Sequence, residues 1–520
     1  MSDAYTLEDS PFFKVPKSNS FAALPTDFYS RLPTTPLKAS VLVHANPHAA
    51  DLVGLRPDQL LTQRFLDVVS GTTPLPGGDT LAAVYSGHQF GVWAGQLGDG
   101  RAHLLGEIAG ERGTWELQLK GAGPTPYSRR GDGRAVLRSS IREYLASQAM
   151  SGLGIPTTQA LALVSAQDRV MRETLETAAV VARMAPSFIR FGSFEHWAAR
   201  NAPHNLTALA DYVIARFYPE CLIPESGVAD TPDQKYVRLL REVVRRTANL
   251  MAQWQLVGFC HGVMNTDNMS ILGLTLDYGP YGFMDAFDAK HICNHTDAQG
   301  RYAWHAQPAV AHWNLYQLAN SLHVIVPDAD ALRGALDAFE PTFLQAMQTQ
   351  LSLKLGLGAW QPGDEVLIDD LWSLMQENRA DFTLSFRQLA HAPGLGSGDL
   401  ARVIQDLGGT VSQDIAPFID LFIDREAASA WLERYRQRVH SDGALEKDAR
   451  IDSMLSANPL YVLRNYLAQR AIEAAQNGDF SEVGALFEVL QDPFTYKVGK
   501  DAYAAQPPAW ATKIEVSCSS

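Results

Sequence analysis

Cysteine is scarce in this chain. Four occur in 520 residues (Cys221, Cys260, Cys293 and Cys518) and none form a CxxC pair, which excludes a disulfide-stapled scaffold. Buried or inert reduced thiols are the expected state of the first three, whereas Cys518, followed by Ser519 and Ser520, is expected to be exposed. Long apolar runs are missing, and none approaches the ~18–20 residues that span a bilayer. The first residues, MSDAYTLEDSPFF, lack a basic segment leading into an apolar one, so a cytoplasmic protein with no membrane partner is expected. Positive charge is in deficit: 43 Lys and Arg face 57 Asp and Glu, a formal net charge of −14. A general nucleic-acid binder draws its affinity from cations that neutralise phosphates, and that class is set aside. Glycine and proline are not in excess and no repeat is visible, which excludes collagen-like, low-complexity and solenoid architectures. With 46% hydrophobic and 19% charged residues, the chain can bury a substantial core, and its length allows two to four domains.

The texture changes along the chain. Residues 1–36, rich in Pro, Ser and Thr, read as an extended arm, and 46–70 carries apolar residues at helical spacing. Residues 101–109 and 114–120 are short apolar or alternating runs split by Gly110 and Gly113, the signature of a hairpin. The pattern predicts a helix over 134–151, with Leu137, Ile141, Tyr144 and Leu145 on one face, and strands over 157–165 and 178–184. Beyond about residue 203 the chain reads as helical, with a long amphipathic helix over 234–257 and further helical stretches to 490. The expected class is α+β. Its expected divisions are an N-terminal extension (1–80), a β-rich lobe with one prominent helix (81–202), a helical lobe (203–330) and a helical C-terminal extension (331–520).

Four constellations carry chemistry. Gly98-Asp99-Gly100-Arg101 enters a strand, where glycine backbone could approach phosphate oxygens and Arg101 could pair with them, although Gly-Asp-Gly is as often a plain turn. Lys120 closes an apolar strand and Glu143 lies on the next helix, in the order of a kinase lysine that bridges nucleotide phosphates and the glutamate that holds it. The segment HGVMNTDNMSILGLTLDYG, residues 261–279, places Asn268 seven residues after His261 and Asp277 at an Asp-Tyr-Gly triplet. A carboxylate and an amide oxygen are hard ligands suited to Mg²⁺. Counting back five from Asn268, where kinases keep the catalytic aspartate, gives Val263, so ordinary phosphoryl transfer lacks its base. The nearest carboxylate, Asp267, cannot stand where a kinase places its own. Finally, Arg129, Arg130, Arg134, Arg138 and Arg142 read as a solvated helix face, while Arg183 interrupts the apolar run AAVVARMA and wants a buried anion such as polyphosphate. His291-x-Cys293-x-His295 fits no standard zinc spacing and reads as a polar loop.

The blocks YSGHQFGVWAGQLGDGRAHLLGE (85–107), WELQLKGAGPTPYSRRGDGRAVLRSSIREYL (115–145) and HGVMNTDNMSILGLTLDYGPYGF (261–283) resemble the selenoprotein O / YdiU family of kinase-like proteins, over nearly the whole chain. The resemblance implies a protein-kinase-like bilobal fold with an inverted ATP, γ-phosphate buried and α-phosphate outward, and transfer of AMP to Ser, Thr or Tyr hydroxyls of proteins. It also implies UMP transfer, Mg²⁺ or Mn²⁺, and a protein acting as a monomer. Carried over by motif, Lys120 and Glu143 form the ion pair, and Gly98, Gly100, Arg101, Asp132 and Gly133 contact the nucleotide. Arg183 and Arg190 hold the inward phosphates, Asn268 and Asp277 bind the metal with Asp277 also at the nucleotide, and Asp267 is the proton acceptor. A reversible Cys293–Cys518 disulfide, tying the tail to the loop after Asp277, is implied in the same way. Two other readings stay open: a kinase that transfers the γ-phosphate, and a catalytically dead nucleotide-binding scaffold whose tail senses oxidation.

Overall fold

The computed structural model describes residues 10–14, 19–224, 231–392, 417–443 and 446–516. Its strands are β1 (Tyr29–Arg31), β2 (Val41–Ala45), β3 (Leu81–Ala83), β4 (Ser86–Gln89), β5 (Val92–Gln96), β6 (Ala102–Gly110), β7 (Gly113–Lys120), β8 (Ala135–Val136), β9 (Gln159–Met171), β10 (Leu175–Ala185), β11 (Phe259–Cys260) and β12 (Gly282–Phe283). The first helices are α1 (Pro47–Leu52), α2 (Gln63–Val69), α3 (Leu137–Gly152), α4 (Phe191–Ala199), α5 (Pro203–Phe217), α6 (Gln234–Leu256) and α7 (Gln307–Leu322). They continue with α8 (Ala329–Leu336), α9 (Phe339–Lys354), α10 (Asp364–Asn378), α11 (Phe382–Leu389), α12 (Arg425–Asp442), α13 (Lys447–Ala457), α14 (Asn465–Gln476) and α15 (Ser481–Gln491). The fold is mixed α+β, and among the described residues no helix is long and apolar enough to cross a membrane.

One antiparallel sheet runs in the order β1-β3-β6-β7-β10-β9-β2, with β8 also on β10. Both edge strands come from the segment expected to be an arm or extension, because β1 and β2 are too short to show an alternating pattern but gain ladder partners once β3 and β9 are in place. The helical stretch expected over 46–70 is broken into α1, a 3₁₀ turn (Pro57–Leu61) and α2. Asn46 caps α1 by accepting from the His48 and Ala49 amides, and Pro57 starts the second piece afresh.

The sheet is buried on both faces, and its period-two alternation sorts side chains between two cores. Along β10, Ala178, Val180, Ala182 and Met184 join the core that contains α1 and α2, while Ala179, Val181 and Ala185 face the core that contains α3 and α6. Arg183 falls on the second side. Along β7, Leu117 and Leu119 take the first side, which leaves Glu116, Gln118 and Lys120 on the side of Arg183. A third core, built from α10, α11 and α12 with parts of α9 and α13, lies in the C-terminal region.

Candidate active site

Helix α3 runs against the sheet and is buried nearly all round, so its polar residues must find partners inside. Glu143 meets Lys120, the last residue of β7, with Nζ 2.7 Å from Oε2, and its Oε1 lies 2.9 Å from Arg183 Nη1. Gln118, cross-strand partner of Arg183, accepts from Arg183 Nε at 2.9 Å and from Nη2 at 2.7 Å. Alternation from Lys120 placed Gln118 on this face, a signal the sequence carried and motif matching passed over.

Asp277 completes the cluster from the loop before β12. Its Oδ1 lies 3.0 Å from Lys120 Nζ and 2.7 Å from Arg183 Nη1, and its Oδ2 lies 2.9 Å from Arg190 Nη1. Three cations thus share two carboxylates. Arg183 and Arg190 are 2% and 3% exposed, so these are buried charges that need their partners. Burial pushes the Asp277 carboxyl up, but Lys120, Arg183 and Arg190 outweigh it and hold it well below the usual carboxylate range. Arg183 therefore already has anionic partners in Glu143 and Asp277, in place of the polyphosphate expected from its sequence context. Arg190 precedes α4, stacks over Tyr85 at 4.6 Å and donates to the Asp267 carbonyl at 2.7 Å. No sequence signal marked Tyr85 for that role.

Tyr85, Lys120, Arg183, Arg190 and Asp277 line the floor of a cleft of about 800 Å³. Gly98, Gly100, Arg101, Asp132, Gly133, Val263 and Asn268 also line it. Two of these positions must be glycine: at Gly98, with φ of +149°, a Cβ would lie 2.5 Å from the Tyr127 ring. At Gly133, with φ of +68°, it would lie 2.2 Å from the Gly123 backbone. Asp132 turns to Arg172, with contacts of 2.8 and 2.9 Å, and that pairing draws its carboxyl below the ordinary value. Arg172 also lines the cleft and was not singled out in the sequence.

Of the arginines expected on a solvated helix face, Arg129 and Arg130 are exposed but lie ahead of the helix, and the others are placed otherwise. Arg129, Arg130 and Arg134 precede α3 and line the cleft, and Arg138 pairs with Glu176 at 3.0 Å. Arg142 is buried, donates to the Tyr281 carbonyl at 2.5 Å and lies over the Tyr281 ring. The helix has no solvated face to give them, since α14 and α15 pack on its far side.

Asn268 donates Nδ2 to the Val263 carbonyl at 2.9 Å, which leaves its amide oxygen as a hard donor, and both Asn268 and Asp277 line the cleft. Asp267 is not part of the cleft lining. It is 8% exposed, accepts from Gln89 Nε2 at 3.1 Å on Oδ2, and its buried Oδ1 has no hydrogen-bond partner. Burial lifts its carboxyl to about 6 against the pull of Arg190. His261 stacks on Trp254 at 5.3 Å and burial lowers it to about 4, so it is neutral at pH 7. Among the described residues no group of three or more His, Cys, Asp and Glu could hold a metal, so a bound dication would draw on Asp277, Asn268 and the nucleotide itself.

Cys293 is buried with Sγ 3.2 Å from that of Cys260, and burial together with Cys260 raises its thiol well above the ordinary value. Cys518 lies outside the described residues.

Comparison with known proteins gives a consistent result. The family model described as protein adenylyltransferase SelO matches residues 11–491. The protein nucleotidyltransferase YdiU of Bordetella petrii is 62% identical over 504 residues, covering 96% of this chain and 98% of the relative. The proteins of the same name from Dechloromonas aromatica and Ralstonia nicotianae are 51% identical over 503 residues and 52% identical over 519 residues. They cover 96% of this chain in both cases, and 97% and 95% of the relatives.

Proposed function

The chain belongs to the SelO family of protein adenylyltransferases and is a nucleotidyltransferase, and from that premise we propose that it transfers AMP from ATP to Ser, Thr or Tyr hydroxyls of proteins and releases pyrophosphate. The observation that carries this reading is the convergence of Lys120, Arg183 and Arg190 on the cleft floor. Buried, pre-oriented cations are suited to hold the distal end of a triphosphate and to neutralise the charge that builds on pyrophosphate as it leaves. In the chain as it stands Asp277 balances those cations. Arrival of a polyphosphate draws them onto phosphate oxygens and releases the carboxylate.

Released, Asp277 with the Asn268 amide oxygen offers the donor set that Mg²⁺ or Mn²⁺ accepts, and either residue would hold the ion. Bound there, the metal would supply further charge neutralisation at phosphate oxygens. Gly98, Gly100 and Arg101 flank the phosphates, and Asp132 and Gly133 close the nucleotide end. Asp267 takes the hydroxyl proton. Val263, where a kinase carries its aspartate, speaks against γ-phosphate transfer to a protein. A kinase-like arrangement of a β-rich and a helical lobe is supported by the Lys120–Glu143 pair and the order His261, Asn268, Asp277. UMP transfer, a monomeric state and a cytoplasmic location belong to the same proposal.

A reversible Cys293–Cys518 link is retained within it. The His295 amide donates to the Val516 carbonyl at 3.2 Å, which brings the chain two residues before Cys518 to the loop that carries Cys293. The test of the main reading is incubation with a protein acceptor and ATP labelled on either phosphate. Label should enter protein from the α-position and stay out from the γ-position, and the reverse pattern overturns the proposal.

A further inference from the structure

The segment between β7 and β8 carries two arginines that the proposed function does not use. Arg129 and Arg130 line the cleft and both are exposed, and among the described residues neither forms an ion pair. The acid of their own loop is turned elsewhere. Asp132 gives both oxygens to Arg172, at 2.8 and 2.9 Å, and its Oδ1 also accepts from the Arg134 amide at 2.9 Å. Arg134 donates Nη1 to the Thr35 carbonyl at 2.7 Å.

The pair stands on a braced support. Thr125 Oγ1 donates to the Asp99 carbonyl at 2.8 Å, Ser128 Oγ to the Gly100 carbonyl, and the Gly131 amide to the Ser128 carbonyl at 2.8 Å. These bonds tie the loop to the 98–100 segment. Arg129 itself has φ of +55°, a left-handed conformation that Gly or Asn adopts with less strain. Strain of this kind persists where surrounding contacts over-determine it, commonly at working sites.

Charge identifies the occupant. The chain has a formal net charge of −14, yet eight Arg and Lys side chains line the cleft against three Asp. Under the transferase reading Lys120, Arg183 and Arg190 take the distal phosphates, Arg101 flanks them, and Asp132 and Gly133 close the nucleotide end. The α-phosphorus, where the hydroxyl attacks, then lies toward Asp132, which follows Arg129 and Arg130 by three and two residues. Two neighbouring guanidiniums open to solvent suit carboxylates, each of which can be gripped by two parallel N–H bonds.

We propose that Arg129 and Arg130 select the acceptor: they bind Asp or Glu side chains that flank the hydroxyl, so that Ser, Thr or Tyr in acidic segments is modified. The inference rests on the transferase reading above and adds the class of acceptor to it. A basic segment is repelled by the same field.

The probes are dephosphorylated, reduced casein and the same casein with its carboxylates blocked as amides, each with α-labelled ATP at low salt. Wild type should label the acidic form with kcat/KM about tenfold higher, the scale of two exposed charge pairs. Arg129→Ser/Arg130→Ser should bring the two forms within about twofold of each other, and Arg129→Glu/Arg130→Glu should favour the amidated form. KM for ATP should stay within about twofold of wild type in both variants, and an unchanged melting shift with ATP shows that they are folded. Equal labelling of the two caseins by wild type, or a preference that survives the serine substitutions, overturns acceptor selection and leaves the transferase reading standing. Labelling of the enzyme's own chain but of neither casein does the same. A rise in the KM for ATP with the preference unchanged assigns the pair to the nucleotide and also overturns the proposal. If wild type binds ATP yet labels neither casein nor its own chain from the α-position, the transferase reading falls and the inference with it.

Discussion

Asp267 and Asp277 lie ten residues apart in sequence and share Arg190, yet their surroundings drive them in opposite directions. Burial holds Asp267 up at about 6, and three cations hold Asp277 down. Carboxylates pushed apart in this way divide into a proton acceptor near working pH and a permanent anion. If Asp267 accepts the hydroxyl proton, kcat/KM should fall tenfold per pH unit below about 6, because the protonated acid has no lone pair to offer. Asp267→Asn should flatten that limb, and a limb that survives the substitution removes the base role. Arg190 serves both residues through one nitrogen, on the Asp267 carbonyl and on Asp277 Oδ2. Arg190→Gln should lower transfer by about 10²–10³, the cost of losing one pre-oriented donor at developing charge. Single-turnover labelling measures it, with ATP-dependent melting as the control for folding.

At the level of elements, what could be read in advance was what local spacing records. The β6–β7 hairpin, the long helix α6, and the Lys120 and Glu143 positions follow from glycine punctuation and periodicity. Short β1 and β2 and the β4–β5 hairpin were illegible, since three to five residues with a Phe-Gly turn leave no pattern and are fixed by partners distant in sequence. The arginines around α3 were misplaced for the same reason: nothing local says that α14 and α15 cover the far side. Alternation on β7 also carries Glu116 inward, where Phe188 N donates to Oε2 at 2.9 Å and Oε1 has no partner. Burial raises its carboxyl to about 8. A folded-state value above the unfolded one favours the fold at low pH, and that contribution is lost as pH rises from about 4.5 to about 8. Glu116→Gln, which cannot ionise, should lose less melting temperature than wild type between pH 5 and pH 8. Parallel slopes for the two proteins would count against a protonated Glu116 in the native state.

Across the whole molecule, the C-terminal helices are part of the site's support. Asn465 Oδ1 accepts from Arg142 on α3 at 3.2 Å, and α14 and α15 pack on the helix that carries Glu143. One residue ties the loop beyond Asp277 to the third core. Arg464, 1% exposed, lies 2.7 Å from Asp285 Oδ1 and 2.9 Å from Asp381 Oδ2. Asp381 in turn caps α11 by accepting from the Leu384 amide at 2.9 Å. Removing the guanidinium strands the buried Asp381 carboxylate and the half-buried Asp285, and loss of one partner from a buried pair typically costs about 3–5 kcal/mol. Arg464→Met should therefore lower the urea midpoint sharply. The same substitution combined with Asp285→Asn and Asp381→Asn should regain most of that loss, because the amides need no counter-charge and Asn still caps a helix. A triple variant no more stable than Arg464→Met would mean that Arg464 holds the regions together by its packing and its backbone surroundings, and that the ionic tie contributes little.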